Sequence, residues 1–273
     1  MHGRTSSSSP DELFSAHKAP RIITISGANK DIGKSSLAAY MASHCFCCAG
    51  VKVSVHEIQP EGEVVIEEPQ PPPDFKTDTA RLVQAGASPV FWVRTTRASL
   101  VEDVRQVLSR IETPVVIFEG NSVLEHLQPD YAVFIMGPTF DNFKPSAFDA
   151  IRKAHTVVVN GKEGLSGERV LELEKKIKDK NPEAKIIVVS EMGKDKAWEI
   201  VLSRAAGRLG GECMAAEASE ELREAVKAKS EEGRITCAVA LKLAKDLGVP
   251  PMEVGKTANE LDIKISKCSL GCF

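Results

Sequence analysis

No apolar run in this 273-residue chain approaches the roughly 18 residues that a membrane-crossing helix requires. A soluble protein is expected. The chain also lacks a basic excess: its formal net charge is −3, which argues against a protein devoted to nucleic acid or to an acidic membrane surface. Nothing near Met1 reads as a secretory signal, and seven cysteines cannot all pair within one chain, so a reducing cytoplasm is the expected location. Three of the cysteines crowd together as Cys45, Cys47 and Cys48, on what reads as one helix. A helix cannot point all three at one ion, so they read as small buried apolar residues. The length suffices for one large domain or two small ones without disulfides or metal.

Residues 1–20, with Ser6–Ser9 and Pro10, read as a disordered lead-in. From Arg21 onward short apolar runs recur at Ile22–Ser26, Val51–Val55, Val90–Val93, Val115–Phe118, Tyr131–Ile135, Thr156–Val159 and Lys185–Val189. Helical stretches separate several of them, including Ser36–Cys48, Ser99–Ile111, Ser166–Lys180 and Lys196–Leu209. Continuous rather than alternating apolar runs suit strands covered on both faces, which predicts a mainly parallel α/β sheet flanked by helices over residues 21–212. Gln59–Phe75, with Pro71-Pro72-Pro73, reads either as a long connection or as a β-hairpin insert.

Ligands of such sheets gather at the carboxyl ends of strands, and there the first strand runs into Gly27-Ala-Asn29-Lys30-Asp-Ile-Gly33-Lys34-Ser35-Ser36. The pattern fits a P-loop, whose turn aims backbone N–H groups at phosphates while the following helix adds its positive end. Lys34 would reach the β/γ oxygens and Ser35 would ligate Mg²⁺. The strict spacing wants glycine at Ala28, with Gly27 just before it, so Ala28 is expected to adopt a glycine-like backbone and to alter the loop. The plainer alternative is a Gly/Lys turn between a strand and a helix.

Val115-Val-Ile-Phe-Glu119-Gly120 ends an apolar strand on a carboxylate, where P-loop proteins hold Mg²⁺ directly or through water. Glu119 is thus the candidate metal and catalytic acid beside Lys34, or else an ordinary turn residue. Asp78-Thr-Ala-Arg81, followed by Ala85-Gly86-Ala87, is a second polar cluster, equally readable as a capped helix start. Asn160-Gly161 either touches a nucleotide base or simply turns the chain.

Taken together, Gly33-Lys34-Ser35-Ser36-Leu37, Asp78-Thr-Ala-Arg81 with Ala85-Gly86-Ala87, and Glu119-Gly120 resemble the molybdopterin-guanine dinucleotide biosynthesis protein B family. The resemblance covers roughly Arg21 to Gly164. It implies a P-loop fold, GTP binding with slow or partner-stimulated hydrolysis, a homodimer, and partnership with the molybdenum cofactor guanylyltransferase or a molybdoenzyme. It also implies that Gly33, Lys34 and Ser35 take the phosphates and Mg²⁺, with Asp78 and Glu119 near the metal and Arg81 near the ligand. The chain departs from the family pattern after the second strand, where it carries His56 and Glu57. Guanine preference rests on this resemblance alone, so ATP and an ATP-dependent small-molecule kinase or ligase of dethiobiotin-synthetase type stay open.

The tail from Glu217 changes character, with helical periodicity through Glu220–Lys229, Ile235–Leu247 and Met252–Leu261. Residues 217–273 are expected to form a small all-α module. It is either a packing element or a helix-turn-helix-like regulator in which Lys242, Lys245, Lys256, Lys264 and Lys267 meet phosphates, opposed by Asp246, Glu253, Glu260 and Asp262. Cys237, Cys268 and Cys272 offer three thiolates for Zn²⁺ or an Fe–S cluster, one short of a tetrahedral set.

Overall fold

The computed structural model describes residues 19–45, 47–68, 77–141, 143–161, 165–189, 194–209, 220–247, 249 and 251–266. Strand and helix alternate as β1 (Arg21–Gly27), α1 (Lys34–Ser43), β2 (Cys48–His56), β3 (Val65–Glu67), α2 (Asp78–Gln84), β4 (Val90–Thr96), α3 (Leu100–Leu108) and β5 (Val115–Glu119). After a single 3-10 turn at Ser122–Glu125 come β6 (Tyr131–Met136), α4 (Pro145–Lys153), β7 (Thr156–Val159), α5 (Gly167–Lys180), β8 (Lys185–Val188) and α6 (Lys194–Leu209). The strands form one sheet in the order β3-β4-β2-β5-β1-β6-β7-β8. All pairings are parallel except that of β3 with β4.

The apolar runs become central strands because both faces of the sheet are covered. On one face Ile23, Ile25, Val115, Ile117, Val133 and Ile135 pack under α1, α2 and α6. On the other, Ala132, Phe134 and Val157 meet α4 and α5, while Val116, Phe118 and Val51 meet α3. Side chains thus alternate between two cores along each strand, with the polar loops left at the sheet ends. Among the described residues no helix is long and apolar enough to cross a membrane.

Two local expectations need correction, and one open alternative is resolved. Helix α1 stops at Ser43, not Cys48, because Ser43 Oγ and the His44 ring both hydrogen-bond the Tyr40 carbonyl at 2.8 Å and capture its acceptor. Cys48 then opens β2 and is buried beside the buried Cys45, whereas Cys47 is exposed, so the three cysteines do not share a helix and only two of them are the small buried residues expected. The connection after β2 contains a short edge strand, β3, paired antiparallel to β4 through Val65–Val93, Ile66–Trp92 and Glu67–Phe91. Pro71–Pro73 lie outside the described residues.

The C-terminal segment folds around its own apolar cluster, including Leu222, Val226, Ile235, Leu243, Val254 and Ile263. Its helices are α7 (Glu220–Lys229), α8 (Cys237–Leu247) and α9 (Pro251–Glu260), but it is not wholly helical. β9 (Arg234–Thr236) and β10 (Lys264–Ser266) pair in parallel and tie the two ends of the α8–α9 pair together. Ile235, which the apolar periodicity places at the start of a helix, lies instead in this ribbon opposite Ile265, because a strand of three residues with one apolar side chain carries no period of its own. Arg223 and Glu260 add an ion pair at 2.7 Å. Cys237 begins α8, while Cys268 and Cys272 lie outside the described residues. Among the described residues no group of three His, Cys, Asp or Glu side chains is placed to hold a metal ion.

Candidate functional site

The loop between β1 and α1 lies at the carboxyl edge of the sheet, and its shape is set by main-chain contacts. Gly27 is glycine for lack of room: a Cβ there would lie 2.8 Å from the Ile135 carbonyl oxygen and 3.0 Å from an Ile32 methyl carbon. Ala28 does not take the glycine-like backbone expected of it. The residues with positive φ are Asp31 at 56° and Gly33 at 111°, and Ala28 is buried with its N–H donating to Ile135 O at 2.9 Å. The loop therefore opens at Gly27 and holds one residue more than the strict spacing counts. Ala28 extends the β1–β6 contact rather than turning the chain.

Gly33 precedes α1 with no side-chain cap and no acid in the first turn, leaving the positive end of the helix toward the cleft. Two asparagines brace the loop. Asn121 Oδ1 accepts from Gly27 N at 2.9 Å while its Nδ2 donates to Gly27 O at 3.0 Å, and Asn160 Nδ2 donates to Ile32 O at 3.0 Å. Asn160 is thus engaged beneath the loop, in a support role that neither sequence reading assigned it. Lys34 Nζ donates to the Asn29 carbonyl at 2.6 Å. Burial pushes the Lys34 ammonium pKa down, against the opposing pull of Glu119.

Facing the loop is a charge triangle drawn from three elements. Lys52 of β2 donates to Glu119 Oε1 at 2.5 Å and to Asp78 Oδ2 at 2.8 Å. The Ser35 hydroxyl donates to the same Glu119 oxygen at 3.0 Å. Burial disfavours the charged Lys52, but Glu119 and Asp78 override it and hold its pKa above the ordinary lysine value. Burial of Asp78 is likewise outweighed, by hydrogen bonds from Lys52 and Ser35, and its carboxyl is held below the usual range. Together with Lys30, Gly33, Lys34, Ser36 and Arg81, these residues line a cavity of about 640 Å³.

Glu119 is 1% exposed, yet its second oxygen, Oε2, has no hydrogen-bond partner. A buried carboxylate oxygen left unpaired is costly, and a hydrated cation would satisfy it. The donor set here, two carboxylates and a hydroxyl, is the hard-oxygen kind that Mg²⁺ takes together with phosphate oxygens and water.

No protein-family model matches the chain, and no curated protein matches it. Among solved structures it is similar to the hydrogenase maturation factor HypB from Archaeoglobus fulgidus, at 15% identity and TM-score 0.44 over 70% of this chain and 91% of that one. It is also similar to HypB from Helicobacter pylori in complex with nickel, at 14% identity and TM-score 0.44 over 73% and 91%. The kinase domain of Escherichia coli tyrosine kinase ETK matches at 14% identity and TM-score 0.30 over 64% and 69%.

The cleft brings together Lys30, Gly33, Lys34, Ser35, Ser36, Asp78, Arg81 and Glu119, with Gly27 and Asn29 shaping the loop behind them. None of the described cysteines lines it. Sequence reasoning missed Lys52 and Asn121. A lone lysine inside the apolar run Val51–Val55 was the available signal for the first, since a strand covered on both faces has no ordinary place for an ammonium.

Proposed function

We propose that this protein binds a nucleoside triphosphate with Mg²⁺ in the Gly27–Ser35 cleft. The observation that carries the reading is the convergence of Lys34, Ser35, Asp78 and the half-satisfied Glu119 on one cavity beneath an uncapped helix start. Lys34 would exchange its Asn29 carbonyl for a phosphate oxygen, and Ser35 and Glu119 would hold the ion or its water, with Asp78 beside them. Mg²⁺, when bound, neutralises charge on the β- and γ-oxygens. Arg81, exposed at the rim, is placed to meet the outer part of the ligand. GTP, a homodimer, and an accessory role in molybdopterin guanine dinucleotide synthesis beside the guanylyltransferase follow from the resemblance of the loop, Asp78–Arg81 and Glu119-Gly120. Residues 217–273 then form an appended module, supported by their separate apolar cluster.

A second reading, ATP-dependent phosphoryl transfer to a small molecule, is favoured by one observation: a further cavity shares Lys34 and Lys52 with the first. Calorimetric titration of GTP and ATP, each with and without Mg²⁺, separates the two readings. Tighter GTP binding supports the accessory factor and tighter ATP binding the kinase or ligase. Absence of binding by both removes the proposal. Glu119→Gln is expected to abolish most of the Mg²⁺ dependence while sparing metal-free binding.

A further inference from the structure

Beside the loop lies the larger cavity, of about 960 Å³, within the range of sites that enclose small ligands. The ends of β2, β4 and β5 and the start of α4 wall it, so it occupies the same carboxyl edge of the sheet as the nucleotide cleft. Its charge is one-sided. Lys30, Lys34, Lys52, Arg97 and Lys144 line it, with His56, against the single carboxylate Glu57. In a chain of net charge −3 such a cluster is local, not a reflection of overall composition. Arg97 is anchored by Glu125 at 2.9 Å and Lys52 by its two acids, whereas Lys30, Lys34 and Lys144 have no ion pair among the described residues. Val53 and Val55 give part of the wall an apolar surface. Lys30, Lys34 and Lys52 line both cavities, so the boundary between them is cationic.

We infer that this cavity is a second ligand site, for a small molecule that presents a carboxylate or phosphate monoester from a partly apolar body. The inference rests on the nucleotide reading of the adjoining cleft. The shared lysines would then lie between two anions, the nucleotide phosphates and the acidic group of the second ligand. This lowers the repulsion that otherwise keeps such partners apart. Lys144 and Arg97 belong to neither the loop nor the lining of the first cavity and contribute to the second alone.

The test uses the full-length protein saturated with Mg²⁺ and a non-hydrolysable GTP or ATP analogue, whose own binding is measured first. Succinate and glycerol 3-phosphate are then titrated separately by calorimetry and by amide chemical shifts, which tells the carboxylate source from the phosphate one. At least one probe is expected to bind, and Lys144→Glu and Arg97→Glu are each expected to weaken it by about tenfold or more, with nucleotide affinity changed by no more than about twofold. No binding of either probe at about 10 mM overturns the inference. Equal probe affinity in wild type and both folded variants overturns it as well. Should the nucleotide analogue itself fail to bind, the proposed function falls. The same titrations on nucleotide-free protein then still decide the second site, because both variants lie outside the loop.

Discussion

The Gly27–Gly33 loop and the Lys52–Asp78–Glu119 triangle border one cleft, yet they are built from different materials. Apart from the bond from Lys34 to the Asn29 carbonyl, the loop is held by main-chain groups and two asparagine amides, neutral dipoles that keep their bonds across the pH scale. The triangle is held by charges on three separate elements, with Lys52 26 residues from Asp78 and 67 from Glu119. A dipolar scaffold depends on space and tolerates loss of the charge it displays. A charge network depends on balance and tolerates a matched neutral replacement better than the loss of one member.

The largest expected effect tests that balance. Lys52→Met leaves Glu119 buried without its counter-ion and is expected to cost about 3 kcal/mol in urea unfolding, with much of the loss recovered in Lys52→Met/Glu119→Gln. An unchanged unfolding midpoint in the single variant would show that the triangle is not a network.

Lys34→Ala asks the opposite of the loop. Nucleotide affinity should fall about a hundredfold, the scale of one charge-assisted contact, while Tm holds or rises. The sign follows from the lowered Lys34 pKa. Between that value and the ordinary 10.5 the unfolded chain holds the proton and the folded one does not, so this lysine's contribution to stability increases with pH through that window and is unfavourable below it. A drop in Tm at neutral pH would show that the ammonium supports the fold.

Gly27→Ala is expected to cost about 2 kcal/mol, because the new methyl meets the Ile135 carbonyl backbone. Ala28→Gly, which restores the strict motif, should stabilise nothing and lose about 0.5–1 kcal/mol through added chain entropy. Thermal unfolding of the pair decides whether Gly27 or position 28 opens the loop. The smallest effect concerns acid. Asp78, with its carboxyl held low, contributes stability that is present above the unfolded value of about 3.9 and is lost as pH falls through the folded one. Asp78→Asn should flatten this part of the acid unfolding profile.

Much of the fold was legible because buried parallel strands leave continuous apolar runs, and the loop was legible because its residues are contiguous. What escaped depends on neighbours that the chain order conceals. Lys52 faces Glu119 because β5 returns to lie beside β2 in a register that pairs those two residues; the lone lysine in an apolar run signals a buried partner but does not name it. Glycine at 27 answers to a carbonyl on β6, so counting back from Lys34 pointed to the wrong residue. The end of α1 turned on Ser43 and His44 competing for one carbonyl, a contest that apolar periodicity does not register.

Asn121 has a further consequence, visible in time rather than in space. By bonding both the N–H and the C=O of Gly27, it extends the β1–β5 edge with a side chain where Gly120 N–H donates to Ile25 O at 3.1 Å. The first peptide group of the loop therefore belongs, kinetically, to the sheet. In hydrogen exchange Gly27 should open together with β1 and β5, as a slow cooperative event, while the Asn29–Asp31 amides trade their protons by local opening. The loop is thus rooted at one end in the central strands of the sheet, and its local opening is expected to begin beyond Ala28.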